Sequence, residues 1–427
     1  FILYIFLCFM KKIQGIRGFS DTFGLDVNLW QYVESALSSV SEQYGYGEIR
    51  LPYLEQSELF QRSVGATSDI VQKEMYSFVD KNDHSVSLRP EGTASCVRIC
   101  IEHNLLYGSN QKFFYLAPMF RRERPQKGRL RQFHQFGIEA FGYPEGWIDV
   151  EQQLLLNRIW DALSIPRPIL HINYLGNAET RKSYKSALQS FYEPYAKDFD
   201  PLSQDRLVKN PLRLLDSKDP VLVDINQSAP AIIDHLSMEE KGQYELILQQ
   251  LSDHNIDFHQ NHALVRGLDY YSGFIYEYTS DLLGAQSSVC GGGRYDQLFD
   301  QLGGQAVSAT GFSIGLERLL SMVDISRQAL QYGNTVNWIN LEPELISKSM
   351  FLCDKIRSAC SHVRIENTLS VGKASNMLKK AEKSGAQYAI LFGRDEYTTG
   401  IFTLKNLQTR EQEQLSITDL ISKLNKE

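Results

Sequence analysis

Apolar residues at Leu29, Val33, Leu37 and Val40 recur every three or four positions, which predicts an amphipathic helix over Asp26–Tyr44. Gly45 and Gly47 end that period, and the chain reads as extended up to Pro52. The stretch LRPEGT, Leu88–Thr93, reads as a turn that enters a helix over Ala94–His103. Two aromatic-rich runs follow, KFFYLAPMFRRE (Lys112–Glu123) and RQFHQFGIEAFG (Arg131–Gly142). The short loop RPQKGR (Arg124–Arg129) suits them to an antiparallel hairpin. Asp149–Leu163 reads as a helix capped by Asp149 and closed by Ile165-Pro166.

From Glu179 to about Asp257 the chain is helical, polar and free of motifs, as an inserted lobe would be. Motifs return at LVRGLDYYSGFIYEYTS (Leu264–Ser280), which favours strand. SSVCGGGRYDQLF (Ser287–Phe299) reads as a glycine-rich turn into a helix. ATGFSIGLERLLSMV (Ala309–Val323) reads as strand to helix, with Gly311 and Gly315 at the change of direction. ISRQALQYGNT, after Asp324, looks like a linker. Beyond Thr335, short apolar runs such as Tyr388–Phe392 alternate with helical ones such as Ala374–Glu382, the pattern of a small α/β domain.

Alternate residues of a strand share a face. In the second aromatic run Phe133, Gln135, Gly137, Glu139 and Phe141 point one way, and His134, Phe136, Ile138 and Ala140 the other. Pairing with the incoming strand sets Arg121 and Glu123 beside Phe133, Gln135 and Glu139. That face offers a cation, carboxylates, an amide and a flat ring, a constellation for a ligand with anionic, planar and hydrogen-donating parts. Glu139 lies in a run too apolar for a solvated face, and buried carboxylates are rare unless paired or functional. His134, on the apolar side, reads as a satisfied core or loop histidine rather than a general base.

The chain's 427 residues exceed one ordinary core, so two or three domains are expected. The net charge of −7 argues against a generally basic nucleic-acid coat protein and leaves a local patch open. From residue 335 on, 13 Lys and Arg stand against 11 Asp and Glu, so this part is +2 while the rest is −9. Six cysteines without a C-x-x-C pair point to a reduced, cytoplasmic compartment and no protein-ligated metal. FILYIFLCF, residues 1–9, is too short to span a membrane and carries its charge after the apolar run. We read it as an upstream translated segment, with Met10 as the start; a short membrane-associating tail is the alternative.

Arg266 in LVRGLDYY has the fork that binds carboxylate or phosphate, with Tyr270 and Tyr271 next to it. CGGGRYD (Cys290–Asp296) lets a ligand or a second backbone approach closely, or simply makes a tight turn. Neither it nor SVGKAS around Lys373 has the spacing of a dinucleotide or phosphate loop.

From about Lys12 to the C-terminus these segments together resemble the histidyl-tRNA synthetase family of class II aminoacyl-tRNA synthetases, bacterial type. FRRERPQKGRLRQF is similar to the second class motif, GFSIGLERL to the third, and LVRGLDYY and VCGGGRYD to the two histidine motifs. The resemblance implies an α+β fold: an antiparallel sheet flanked by helices (10–178 and 258–325), a helical insertion (179–257), a linker (326–334) and a C-terminal α/β anticodon-binding domain (335–427). It implies ATP-dependent attachment of L-histidine to tRNA(His) through a histidyl-adenylate, with Mg2+ accompanying ATP and a homodimer, not a membrane, as the setting. For ATP it implies Arg121 at the α-phosphate, Glu123 at the adenine edge, Arg129 near the outer phosphates, and Phe133 and Arg318 on the two faces of the base. For histidine it implies the Glu91–Gly92–Thr93 segment and Gln135 at the amino group, and Glu139, Tyr270 and Tyr271 around the imidazole. Arg266 would bridge histidine carboxylate and α-phosphate, making it and Arg121 the catalytic pair. Arg124, Gln126 and Lys127 would approach the tRNA acceptor end; an exposed basic loop without a partner is the plainer alternative. Arg122, after Arg121, and the lack of a proline in GQAVSATG depart from the family pattern.

Two other functions compete. A non-catalytic histidine-binding regulatory subunit of histidine biosynthesis shares this fold, but typically lacks the last domain and parts of the histidine motifs. An RNA-binding scaffold with a dead site would need the ligand-face residues broken, and they are intact.

Overall fold

The computed structural model describes residues 12–65, 68–126, 128–217, 219–326 and 334–426. Residues 1–9, Lys127 and most of the expected linker lie outside the described residues. The chain divides into two compact units: the first runs up to Asp324 except for Gly24–Asn28, which group with the second, from Ile325 on.

Helix α1 (Leu25–Gln43), part of the first unit from Leu29 on, buries Val33, Leu37 and Val40 of the expected apolar stripe and half-buries Leu29. Strands β1 (Gly47–Glu48) and β2 (Leu54–Gln56), helix α2 (Ser57–Val64) and strands β3 (Tyr76–Val79) and β4 (Ser85–Leu88) follow. The LRPEGT turn leads into α3 (Thr93–Glu102). β5 (Gln111–Phe120) and β6 (Gln132–Phe141) form the expected hairpin, with Tyr115 opposite Gly137 and Met119 opposite Phe133.

Helix α4 (Trp147–Ala162) starts two residues earlier than expected. Asp149 is not its cap residue but sits in its first turn. Its carboxylate reaches back to accept from Gly146 N at 2.9 Å and also accepts from Arg294 Nη1 at 2.8 Å. After β7 (Ile169–Tyr174) comes the helical lobe: α5 (Ala178–Tyr192), α6 (Pro201–Lys209), α7 (Leu212–Leu215), α8 (Pro220–Asn226) and α9 (Met238–Asp253). Asn177, Asp200, Asp219 and Ser237 each accept from first-turn N–H groups, so four of these helices start at capped ends.

Strands β8 (His259–Gln260), β9 (Ser272–Thr279), β10 (Ser288–Arg294) and β11 (Ala309–Gly315) complete the sheet, with α10 (Leu298–Gln301) between the last two and α11 (Leu316–Leu320) closing the unit. Two expectations change here. Leu264–Tyr271 is a loop rather than strand. The glycine run is not a turn but strand β10, and Gly311 lies inside β11, so the chain changes direction only at Gly315.

The sheet order is β1-β5-β6-β11-β10-β9-β7-β8. Its neighbours from β5 to β7 are antiparallel, and only β1 and β8 join in parallel at the edges. One face packs Phe136, Ile138, Ile314 and Tyr276 against Val33, Leu37, Ile159 and Trp160 of the helices. The other carries Tyr115, Phe141, Tyr271 and Tyr295 with Cys96 and Cys100 of α3. The cavity opens on this second face.

The second unit holds β12 (Asn334–Asn340), α12 (Ile346–Ala359), β13 (Val363–Thr368), α13 (Ala374–Lys383), β14 (Tyr388–Phe392), α14 (Arg394–Thr399), β15 (Ile401–Asn406), β16 (Gln412–Ser416) and α15 (Ile417–Leu424). β13, β12 and β14 pair in parallel, and β15 and β16 extend the sheet antiparallel. Its own core forms around Trp338, Phe392 and Phe402. Among the described residues, no helix is long and apolar enough to cross a membrane.

Candidate active site

The face of β6 that carries Gln135 also holds Glu139, and β11 lies beside it in register, Gly311 opposite Glu139 and Gly315 opposite Gln135. A Cβ on Gly311 would strike the Glu139 carboxylate. The glycine therefore makes room for a buried acid in the middle of a sheet. Glu139 is 1% exposed, accepts from Thr93 Oγ1 at 2.7 Å and takes the Tyr295 hydroxyl on its other oxygen. Burial pushes its carboxyl up to about 8, against the pull of those two hydrogen bonds.

Above this floor is a cavity of about 260 Å³. Glu91, Thr93, Arg121, Glu123, Arg129, Phe133, Gln135, Arg266, Tyr270, Tyr271 and Arg318 line it, so the structure brings together most of the expected residues. Glu139 lies beneath the lining. Gly92 acts differently: a Cβ there, or on Gly137, would overlap the Tyr115 ring, so the two glycines seat that ring. Arg124 and Gln126 are exposed on the hairpin loop and do not line the cavity themselves, though Gln126 bridges to the lining residue Arg129 through backbone hydrogen bonds.

Each wall has an identifiable origin. Glu91 accepts from the N–H groups of Thr93 at 2.7 Å and Ala94 at 3.0 Å, which fixes the start of α3. Burial raises its carboxyl, opposed by those donors and by Arg121. The Arg121 guanidinium lies 5.2 Å from the Phe133 ring centre, and its Nε donates to Pro90 O at 2.9 Å. Arg129 pairs with Glu123 at 3.3 Å. Arg318 donates to Ser288 O at 2.6 Å and Gly128 O at 3.2 Å.

Arg266 lies 5.5 Å over the Tyr271 ring and bonds Glu277 at 3.2 Å. A Cβ on Gly291 would occupy the place of its guanidinium, which explains a glycine in the interior of β10. Tyr270, Tyr271 and Tyr295 form an aromatic cluster, with centroids 4.8 Å apart for the first pair and 5.6 Å for Tyr270–Tyr295.

Two buried polar atoms in the cavity wall have no hydrogen-bond partner: Gln135 Oε1 and Arg266 Nε. One is an acceptor, the other a cationic donor. Such groups cost free energy unless a ligand meets them.

The sequence reading missed Tyr295, the partner of Glu139; an aromatic straight after the GGGR run was the available signal. It also missed Glu317, which lines the cavity and bonds His134. His134 does not face the cavity, in line with its reading as a satisfied histidine. Among the described residues, no three His, Cys, Asp or Glu side chains gather as a metal cage, and the five described cysteines are buried and unpaired.

Comparison with known proteins gives a coherent result. A model of the family "Histidyl-tRNA synthetase" matches residues 18–191 and 201–319, and one for "Anticodon binding domain" matches 342–427. A histidine--tRNA ligase of Francisella philomiragia subsp. philomiragia is 42% identical over 421 residues, covering 98% of this chain and 99% of its relative. The crystal structure of apo histidyl-tRNA synthetase from S. aureus matches with a TM-score of 0.80 at 30% identity, covering 97% of this chain and all of that one. The enzyme from Nostoc sp. PCC 7120 shares the fold, with a TM-score of 0.68 at 20% identity and coverage of 97% and 99%. On the family match and the full-length relative together, the chain belongs to the histidyl-tRNA synthetase family.

Proposed function

We propose that the protein joins L-histidine to tRNA(His) in two steps at this cavity. The observation that carries the reading is the pair of unpartnered buried atoms, Gln135 Oε1 and Arg266 Nε, in one cavity. A zwitterionic amino acid answers both: its ammonium donates to Gln135, and its carboxylate accepts from Arg266. Glu91 and Thr93 stand on the ammonium side. Tyr270, Tyr271 and the buried Glu139 supply polar groups for the imidazole, and a site built to bond ring nitrogens rejects analogues lacking them.

The nucleotide takes the other end. Phe133 and Arg318 offer a ring and a planar cation to the two faces of adenine, Glu123 its edge, and Arg121 and Arg129 the phosphates. A histidine carboxylate oxygen attacks the α-phosphorus and forms a P–O bond; the bond to the β-phosphate oxygen breaks, and pyrophosphate leaves with the electron pair. The terminal ribose hydroxyl of the tRNA then attacks the acyl carbon, and AMP departs. No side-chain nucleophile is required. Arg121 and Arg266 hold the reactants in line and offset the charge gathering on the phosphoryl oxygens. Mg2+ belongs with this chemistry as a counter-charge to the triphosphate. It would arrive bound to ATP; among the described residues no three His, Cys, Asp or Glu side chains gather to hold it.

By the same reading, residues 10–178 and 258–325 form the catalytic domain, 179–257 the insertion, 326–334 the linker and 335–427 the anticodon-binding domain. Arg124, Gln126 and Lys127 are assigned to tRNA acceptor-end contact, and the enzyme works in the cytoplasm as a homodimer. The C-terminal match over 342–427 favours the synthetase over the regulatory subunit.

The test is histidine-dependent ATP–pyrophosphate exchange. Exchange with histidine and with no other amino acid is expected. A folded protein that binds histidine without exchange would identify the regulatory subunit instead.

A further inference from the structure

Strand β11 stops pairing with β6 at Gly315, opposite Gln135, because the chain turns there into α11. The next N–H of β6, that of His134, is left without a strand partner. Glu317, in the first turn of α11, fills the gap. Its carboxylate accepts from His134 N at 2.9 Å and 3.1 Å, and from the same residue's ring Nδ1 at 2.9 Å. The imidazole is wedged on its other side by the Trp30 ring, 4.8 Å away and edge-on.

The chain neighbours of these two residues make this contact informative. His134 follows Phe133, and Glu317 precedes Arg318. The Glu317–His134 contact therefore ties together the two segments that carry opposite walls of the proposed adenine slot. Arg318 is steadied by the carbonyls of Ser288 and Gly128. The hairpin and α11 come from distant parts of the chain, and this carboxylate joins them at the slot.

We infer that Glu317 and His134 are positioning residues for adenine, setting the separation of Phe133 and Arg318 without reacting themselves. The inference rests on the reading of the slot given above. The histidine end of the cavity rests on α3, the Leu264–Tyr271 loop and the part of β6 from Gln135 to Glu139, which stays paired with β11 through Gly315 and Gly311, so a loosened slot raises the KM for ATP far more than that for histidine.

Pyrophosphate exchange separates the two constants. E317A is expected to raise the KM for ATP about tenfold, the scale of a lost charge-assisted hydrogen bond, with the KM for histidine within about twofold. E317Q keeps an accepting oxygen and is expected to restore most of the loss. H134A removes only the ring donor and is expected to raise the KM for ATP about threefold, which keeps the test open should E317A fold poorly. In an F133L background, already lacking one wall, E317A is expected to add less than about twofold. Equal rises in both KM values would overturn the inference, as would an unchanged KM for ATP in E317A and H134A while F133L raises it. An F133L enzyme with unchanged KM for ATP would remove the slot itself, and this inference with it.

Discussion

The Glu139 carboxyl, held at about 8 by burial, keeps its proton in the folded protein over a range where the unfolded chain, near the ordinary 4.5, has lost it. The sign follows. The folded state binds the extra proton between those two values, so this residue's contribution to stability is present below about 4.5 and falls as pH rises toward 8. E139Q removes the titration. Its melting temperature should drop less than that of the unaltered protein between pH 5.5 and 8, as thermal denaturation at the two values would show. The same variant should weaken histidine binding more than ATP binding; calorimetry showing equal losses would count against placing Glu139 at the imidazole. Arg266 is a sharper case. R266H should lower pyrophosphate exchange by on the order of 10³ with the melting temperature kept, since a charge-stabilising group is lost and the core is untouched. Near-normal exchange would remove its assigned role.

At the scale of elements, β10 divides its three glycines between function and fold. The nearest atoms to a Cβ on Gly291 are the flexible end of Arg266, whereas on Gly293, at φ +147°, they are Phe274 O at 2.6 Å and Ile275 at 2.8 Å. G291A should therefore cut exchange with little loss of stability, and G293A should cost about 2 kcal/mol or more by backbone strain. Urea denaturation alongside exchange assays separates the two. This strand is also where the sequence misled. Glycine is depleted from strand interiors, so GGG reads as a turn, and only Arg266 and the partners across β9 and β11 show why side chains are excluded there. The β5–β6 hairpin was legible because alternation fixed both its pairing and its faces. Arg121, Phe133 and Gln135 could thus be placed together from local pattern alone. Tyr295 and Glu317 could not, because their contacts with Glu139 and His134 join strands far apart in the chain. Asp149 misled on a smaller scale: an acid in a first turn and an acid at the cap look alike without the helix start.

At the scale of the molecule, the second unit has its own core around Trp338, Phe392 and Phe402, and every residue lining the cavity lies in the first. A fragment ending at Asp324 should keep histidine-dependent exchange while its aminoacylation of tRNA falls by about a hundredfold, as expected when one of two contact regions is removed. Side-by-side exchange and charging assays would check it, and loss of both activities would mean the first unit is not autonomous. The pairing of β6 with β11 has a further consequence. Phe141 meets Ala309 across a long stretch of intervening chain. At ribosomal speeds of roughly 5–20 residues per second, about 170 residues of synthesis separate the hairpin's emergence from that of its partner. For roughly 10–30 s the nascent chain carries an open strand edge along the floor of the cavity. Its newborn state is thus one for chaperones to shield until β11 emerges and covers that edge.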